Sequence, residues 1–136
     1  MFQKLLLAVD GSPGSDKAIE VAGEMAKALG SEVLVFHVRE VEVSRFSGGM
    51  EPPEDALELV NHVVAKLEEL GVACKADARG APFGRAAREI VDEAQRAKVD
   101  GIVLGSRGLS DWKAILVGSV AHKVISHAEC PVIVAR

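Results

Sequence analysis

The chain has 136 residues, 49% apolar and 26% charged, a length and balance that suit a globular protein with a real core and exclude a disordered one. Its formal net charge is −4, with acids and bases intermixed, which argues against a nucleic-acid partner because proteins that track phosphates present a basic face. The opening apolar run stops at Asp10, too short for a signal segment or a membrane span, so a cytoplasmic protein with no membrane association is expected.

LLLAV, residues 5–9, predicts a first strand. Ala18, Val21, Ala22, Met25, Ala26 and Leu29 then recur on one helical face, with Ser12 placed as N-cap, Pro13 at the first helical position and Gly30 as a left-handed stop. VLVFHV, residues 33–38, predicts the second strand. Residues 39–53, REVEVSRFSGGMEPP, lack periodicity and read as a long loop, the kind that is usually a functional lid or disordered. Ala56, Val60, Val63, Val64, Leu67 and Leu70 predict a second helix closed by Gly71. VACKADA, residues 72–78, predicts a third strand, and its alternating Lys75 and Asp77 mark a sheet edge. Phe83, Ala86, Ala87, Ile90, Val91 and Ala94 predict the third helix, and GIVLG, residues 101–105, the fourth strand. Val117, Val120, Ala121, Val124, Ile125 and Ala128 predict the fourth helix, ended before Pro131, and VIVA, residues 132–135, the fifth strand.

Such regular alternation implies βαβ units: an α/β chain folded as one domain over residues 1–136, with a parallel sheet covered by helices on both faces. Cys74 and Cys130 have neither metal-type nor redox-type spacing and are expected to be reduced, buried thiols. The terminal strand VIVA is apolar throughout, and an uncharged edge invites pairing, so a second copy of the chain is expected to cover it.

In an open α/β sheet, ligands bind beyond the carboxyl ends of the strands where chain order reverses. Here the first strand runs into Asp10-Gly11-Ser12, the second into His37-Val38 and the fourth into Gly105-Ser106-Arg107-Gly108. Gly105 and Gly108 suit a nest of inward-turned amides, and Gly118-Ser119-Val120 opens a helix whose first amides face outward, an arrangement that favours an anion. Plain turn geometry would account for the same glycines, and Asp10 could be no more than a cap on the first helix. As an acceptor, Asp10 suits a ribose hydroxyl or a metal ion better than a phosphate. Walker-type, GxGxxG and GxSxG patterns are absent. His62, His122 and His127 are placed on the surface, and Trp112 inside the glycine loop serves packing or covers a ligand.

The pattern G-x2-G-x9-G-[S/T], met by Gly105, Gly108, Gly118 and Ser119, together with the opening LLLAVDGSPGSDKAIEVA and the ending GSVAHKVISHAECPVIVAR, resembles the ATP-binding branch of the universal stress protein family over essentially the whole chain. The resemblance implies a Rossmann-like sheet in the order 3-2-1-4-5. It implies adenine near Ala8, Val9 and Val38, and Asp10 by the ribose and phosphates. Gly105, Arg107, Gly108, Gly118, Ser119 and Val120 would hold ribose and phosphates, sometimes with Mg²⁺, and no metal site of the protein's own is implied. It further implies a homodimer through Val132, Ile133 and Val134, and an ATP-binding regulatory protein of the stress response with slow hydrolysis at most. The competing readings are a slow ATPase or adenylyl-transferring enzyme of the same fold, and a partner-binding module with a vestigial site.

Overall fold

The structure, a computed structural model, describes residues 1–41, 53–106 and 117–136. Its elements run β1 (Lys4–Ala8), α1 (Pro13–Leu29), β2 (Glu32–Val41), α2 (Pro53–Glu69), β3 (Cys74–Pro82), α3 (Ala86–Arg96), β4 (Gly101–Gly105), α4 (Ser119–His127) and β5 (Val132–Ala135). The strands lie in the order β3-β2-β1-β4-β5, and each neighbouring pair is parallel. From β1 the chain builds outward to β2 and β3 on one side, then crosses to β4 and β5 on the other. The reversal therefore falls between β1 and β4, as the resemblance implied.

Two apolar layers sandwich the sheet, and the two-residue period of each strand feeds both. Leu5, Leu7, Val33, Val35 and Val103 pack with Ala18 and Ala22 of α1 and Val60, Val63 and Leu67 of α2. Leu6, Phe36, Ile102 and Leu104 pack with Ala87, Ile90 and Val91 of α3 and Ala121 and Val124 of α4. The first helix begins as its local sequence dictates: Ser12 Oγ accepts from Ser15 N at 3.2 Å, Pro13 opens the helix, and Gly30 closes it at φ 70°. A cap of this kind contributes about 1 kcal/mol. On the edge side, Arg79 of β3 lies over the Phe36 ring, 5.3 Å from its centroid, and pairs with Glu89 at 3.3 Å and Glu93 at 2.8 Å. Glu93 is buried, so the single guanidinium of Arg79 pins α3 to the sheet through two carboxylates, while Arg96 meets Glu93 from within the same helix.

Several expectations are corrected. β2 continues through Val41, so Arg39–Val41 are strand paired with Gly80–Pro82 rather than loop; residues 42–52 of that predicted loop lie outside the described residues. β3 spans Cys74–Pro82 instead of 72–78, because it follows β2 along this extension. Phe83, assigned to the core face of the third helix, is 75% exposed; it sits in a turn closed by Arg85 N–H to the Pro82 carbonyl at 3.1 Å, with Gly84 at φ 83°. Leu29, Leu70 and Ile125 are likewise exposed, since the apolar period overruns the buried face at each helix end. Cys74 and Cys130 are free but only half-buried, and burial pushes both thiols up from their ordinary value.

Candidate nucleotide-binding site

β1 delivers its last residues to the carboxyl end of the sheet under tight control. Ala8 and Val9 are buried, and Val9 N–H donates to the Phe36 carbonyl of β2 at 3.0 Å. Past this point the chain turns through Gly11 at φ 80°, a conformation that favours glycine. Asp10 is half-exposed. Its Oδ1 accepts Ser12 N–H at 2.9 Å and its own N–H donates to Ser15 Oγ at 3.2 Å. The side chain forms an Asx turn rather than the helix cap, a role that falls to Ser12, so one carboxylate oxygen is fixed by the turn and orients the other.

From β2 the site receives Val38, half-buried, and beside it His37, which is 4% exposed with Nδ1 2.7 Å from the Val9 carbonyl. From β4 it receives Gly105. A Cβ built there would stand 2.5 Å from the backbone C and O of Gly14, so the glycine admits the first turn of α1 against the end of β4. Gly105 is not among the positive-φ glycines, and close approach rather than a left-handed turn explains it.

The loop after β4 is closed at its base. Ser106 N–H donates to the Ala135 carbonyl at 2.9 Å, and the Ser106 carbonyl accepts Gly118 N–H at 2.5 Å. Gly118 is the N-cap residue of α4 at φ −64° and ψ 165°, again not a left-handed position, and no side chain caps that helix among the described residues. With the Gly118 amide directed to Ser106, the amides of Ser119 and Val120 are left to point from the helix start. Ser119 is exposed and Val120 half-buried against the α3–α4 layer. Arg107, Gly108, Asp111 and Trp112 lie outside the described residues.

Thus Ala8, Val9 and Asp10, Val38, Gly105, and Gly118, Ser119 and Val120 all stand at the carboxyl edge of three adjacent strands and the start of α4. Two contributors were not singled out by sequence reasoning. Ser15 receives the Asp10 amide from within the first turn of α1, and His37 is a single polar residue in the apolar run VLVFHV. The second could have been flagged by that interruption; the first had no distinguishing signal. Val132, Ile133 and Val134 stand elsewhere, half-buried on the opposite edge strand. Among the described residues no three of His, Cys, Asp and Glu come together to hold a metal ion, and no helix is long and apolar enough to cross a membrane.

An open parallel sheet in the order 3-2-1-4-5, whose chain order reverses between β1 and β4, defines a Rossmann-like α/β protein. Within that class the chain belongs to the universal stress protein family, whose model matches residues 1–136. It is 36% identical over 152 residues to the universal stress protein YxiE of Bacillus subtilis (strain 168), covering all of both chains. It is 34% identical over 149 residues to the universal stress protein MJ0531 of Methanocaldococcus jannaschii, covering all of this chain and 83% of that one. Among solved structures it is similar to the universal stress protein from Archaeoglobus fulgidus in complex with dAMP, with a TM-score of 0.74 and 27% identity over the full length of both chains.

Proposed function

We propose that residues 1–136 form one adenine-nucleotide-binding domain, a cytoplasmic regulatory protein of the stress response that holds ATP with little or no turnover. The observation that carries this reading is the placement of a half-tethered Asp10 and of the start of α4, which no side chain caps among the described residues, at the switch-point end of the sheet. Asp10 presents its remaining carboxylate oxygen to a ribose hydroxyl, and Ala8, Val9 and Val38 receive the adenine. The amides of Ser119 and Val120, the Ser119 hydroxyl, and Arg107 with Gly105, Gly108 and Gly118 take ribose and phosphates. The dAMP complex of the similar Archaeoglobus fulgidus protein supports an adenine nucleotide as ligand. Mg²⁺ fits as a companion of the phosphates, with Asp10 as the nearby carboxylate rather than as part of a protein-built cage. A helix start contributes about 0.3–1 kcal/mol to an anion, whereas micromolar binding needs about −8 kcal/mol. The base pocket and Arg107 therefore supply most of the affinity.

Calorimetric titration of the nucleotide-stripped protein with Mg·ATP tests the reading. Saturable binding in the micromolar range is expected, weakened at least tenfold in Gly118→Val, whose side chain would stand where phosphate meets the helix. No heat at high micromolar ATP would move the function to a partner-binding module, and multiple turnovers abolished by Asp10→Asn would make the protein a slow ATPase.

The same proposal includes a homodimer through β5, supported by the apolar, half-exposed Val132, Ile133 and Val134 on an edge strand that carries no charge. Ile133→Lys is expected to shift sedimentation from dimer to monomer while circular dichroism stays unchanged; an intact dimer would place the interface elsewhere.

A further inference from the structure

We propose that the His37 imidazole ends the β1–β2 ladder and thereby leaves the Val38 main-chain edge for the base of the nucleotide, an inference that rests on the adenine-nucleotide reading above. In a parallel ladder, a residue whose N–H donates to position j−1 of its neighbour accepts from position j+1. Val9 N–H donates to the Phe36 carbonyl at 3.0 Å, so the next rung of a regular ladder would run from Val38 N–H to the Val9 carbonyl. That carbonyl meets His37 Nδ1 at 2.7 Å instead. A carbonyl has no proton to give, so Nδ1 carries the hydrogen and donates it.

The strand registers agree with this substitution of a side chain for a rung. β1 and β2 stay in register only to Ala8–Phe36, while β2 and β3 remain paired to Val41–Pro82. β2 therefore outruns β1, and Val38 lies in the stretch where its neighbour has turned away into Asp10-Gly11-Ser12. The imidazole shares the face of Val33 and Val35 and is 4% exposed, so its packing holds the ring in one place. It satisfies the Val9 carbonyl, which a buried chain end requires, without occupying the Val38 amide. An N–H beside a C=O on one strand edge complements adenine, which offers an acceptor beside its N6 donor, and mismatches guanine, which presents O6 at the same place. His37 is then a positioning residue that acts through Val9 and Val38 and touches no ligand atom itself.

The test uses the full chain, titrated with Mg·ATP and Mg·GTP in the wild type, His37→Leu and His37→Asn. Wild type is expected to prefer ATP over GTP by at least tenfold. His37→Leu is expected to lose most of that preference through weaker ATP binding, with GTP affinity unchanged within about twofold. His37→Asn keeps a donor at the same branch of the side chain and is expected to restore the preference. A role confined to stability would lower both affinities together, in step with the melting temperature. That result, or an unchanged preference in His37→Leu, overturns the inference while the adenine-nucleotide reading stands; a wild type that binds both nucleotides alike overturns the inference together with the adenine preference it rests on. A wild type that binds neither nucleotide overturns the reading itself, and the inference with it.

Discussion

The two ends of the sheet use the same side chain, aspartate, to opposite effect. At the amino end, Asp100 accepts Gln3 N–H on Oδ2 and Lys4 N–H on Oδ1, both at 3.0 Å, and its own N–H donates to the Lys4 carbonyl at 2.9 Å. Both carboxylate oxygens are consumed in tying β4 to β1. At the carboxyl end, Asp10 gives one oxygen to Ser12 N–H and stands half-exposed, on the same end of the sheet as the start of α4, which no side chain caps among the described residues. One end is closed by the protein's own hydrogen bonds; the other holds polar groups in fixed directions with bonding capacity still to give. That asymmetry is what a binding end of an α/β sheet requires, because a group already satisfied gains nothing from a ligand.

The largest expected effect strikes the junction on which the open end is built. In Gly105→Ala the new methyl would overlap Gly14 backbone at 2.5 Å, and backbone has no rotamer by which to yield. α1 must then shift from β4, at a cost of roughly 1–3 kcal/mol and a fall in melting temperature of several degrees. Because α1 carries Ser12 and Ser15, which hold Asp10, ATP affinity should fall in the same variant. Calorimetry and thermal unfolding check both; an undisturbed melting temperature would mean that the approach of α1 to β4 is slack.

Next in size is a change that should separate binding from stability. Asn at position 10 can still accept Ser12 N–H, so Asp10→Asn should leave the melting temperature within about 2 °C while weakening ATP about tenfold, or ~1.4 kcal/mol. Tighter binding in this variant would put the carboxylate against the phosphates rather than the ribose.

What could be read in advance follows from how far apart the responsible atoms lie in sequence. The cap at Ser12, Pro13 and the stop at Gly30 are local, and they stand where local rules put them. The strand order was legible because regular alternation and the resemblance agreed on it. Helix ends were less legible, since the apolar period at Phe83, Leu70 and Ile125 runs past the faces that neighbouring elements cover. At the site, Asp10 followed from the end of β1 and Gly118 from the start of α4, whereas Val38 was taken as a strand end and lies three residues inside β2, which runs on to Val41. The reason for Gly105 did not follow, because its collision partner Gly14 belongs to another element far back in the chain. His37 interrupts the apolar run VLVFHV, but its role was hidden for the same cause: its bond is to Val9, and only the register of two strands reveals which rung it replaces.

The smallest effect belongs to the closed end and shows through pH. Desolvation pushes the Asp100 carboxyl up, but the backbone amides of Lys4 and Gln3 together outweigh it and hold the group below its ordinary value of 3.8. A carboxyl whose value is lower in the folded state contributes stability that is present above its unfolded value. The contribution fades as pH falls through the folded value. Asp100→Asn places an amide donor against one of two backbone donors and removes the charge, at about 1 kcal/mol of stability near neutral pH. The gap between wild type and variant in thermal or urea unfolding should therefore hold steady from pH 7 to 5. It should narrow below pH 3.8, where the wild-type carboxyl also becomes protonated. ATP affinity at neutral pH should not move, the reverse of the Asp10→Asn result. A gap that persists unchanged into strong acid would mean that Asp100 acts through packing, and that the closed end of the sheet owes nothing to its charge.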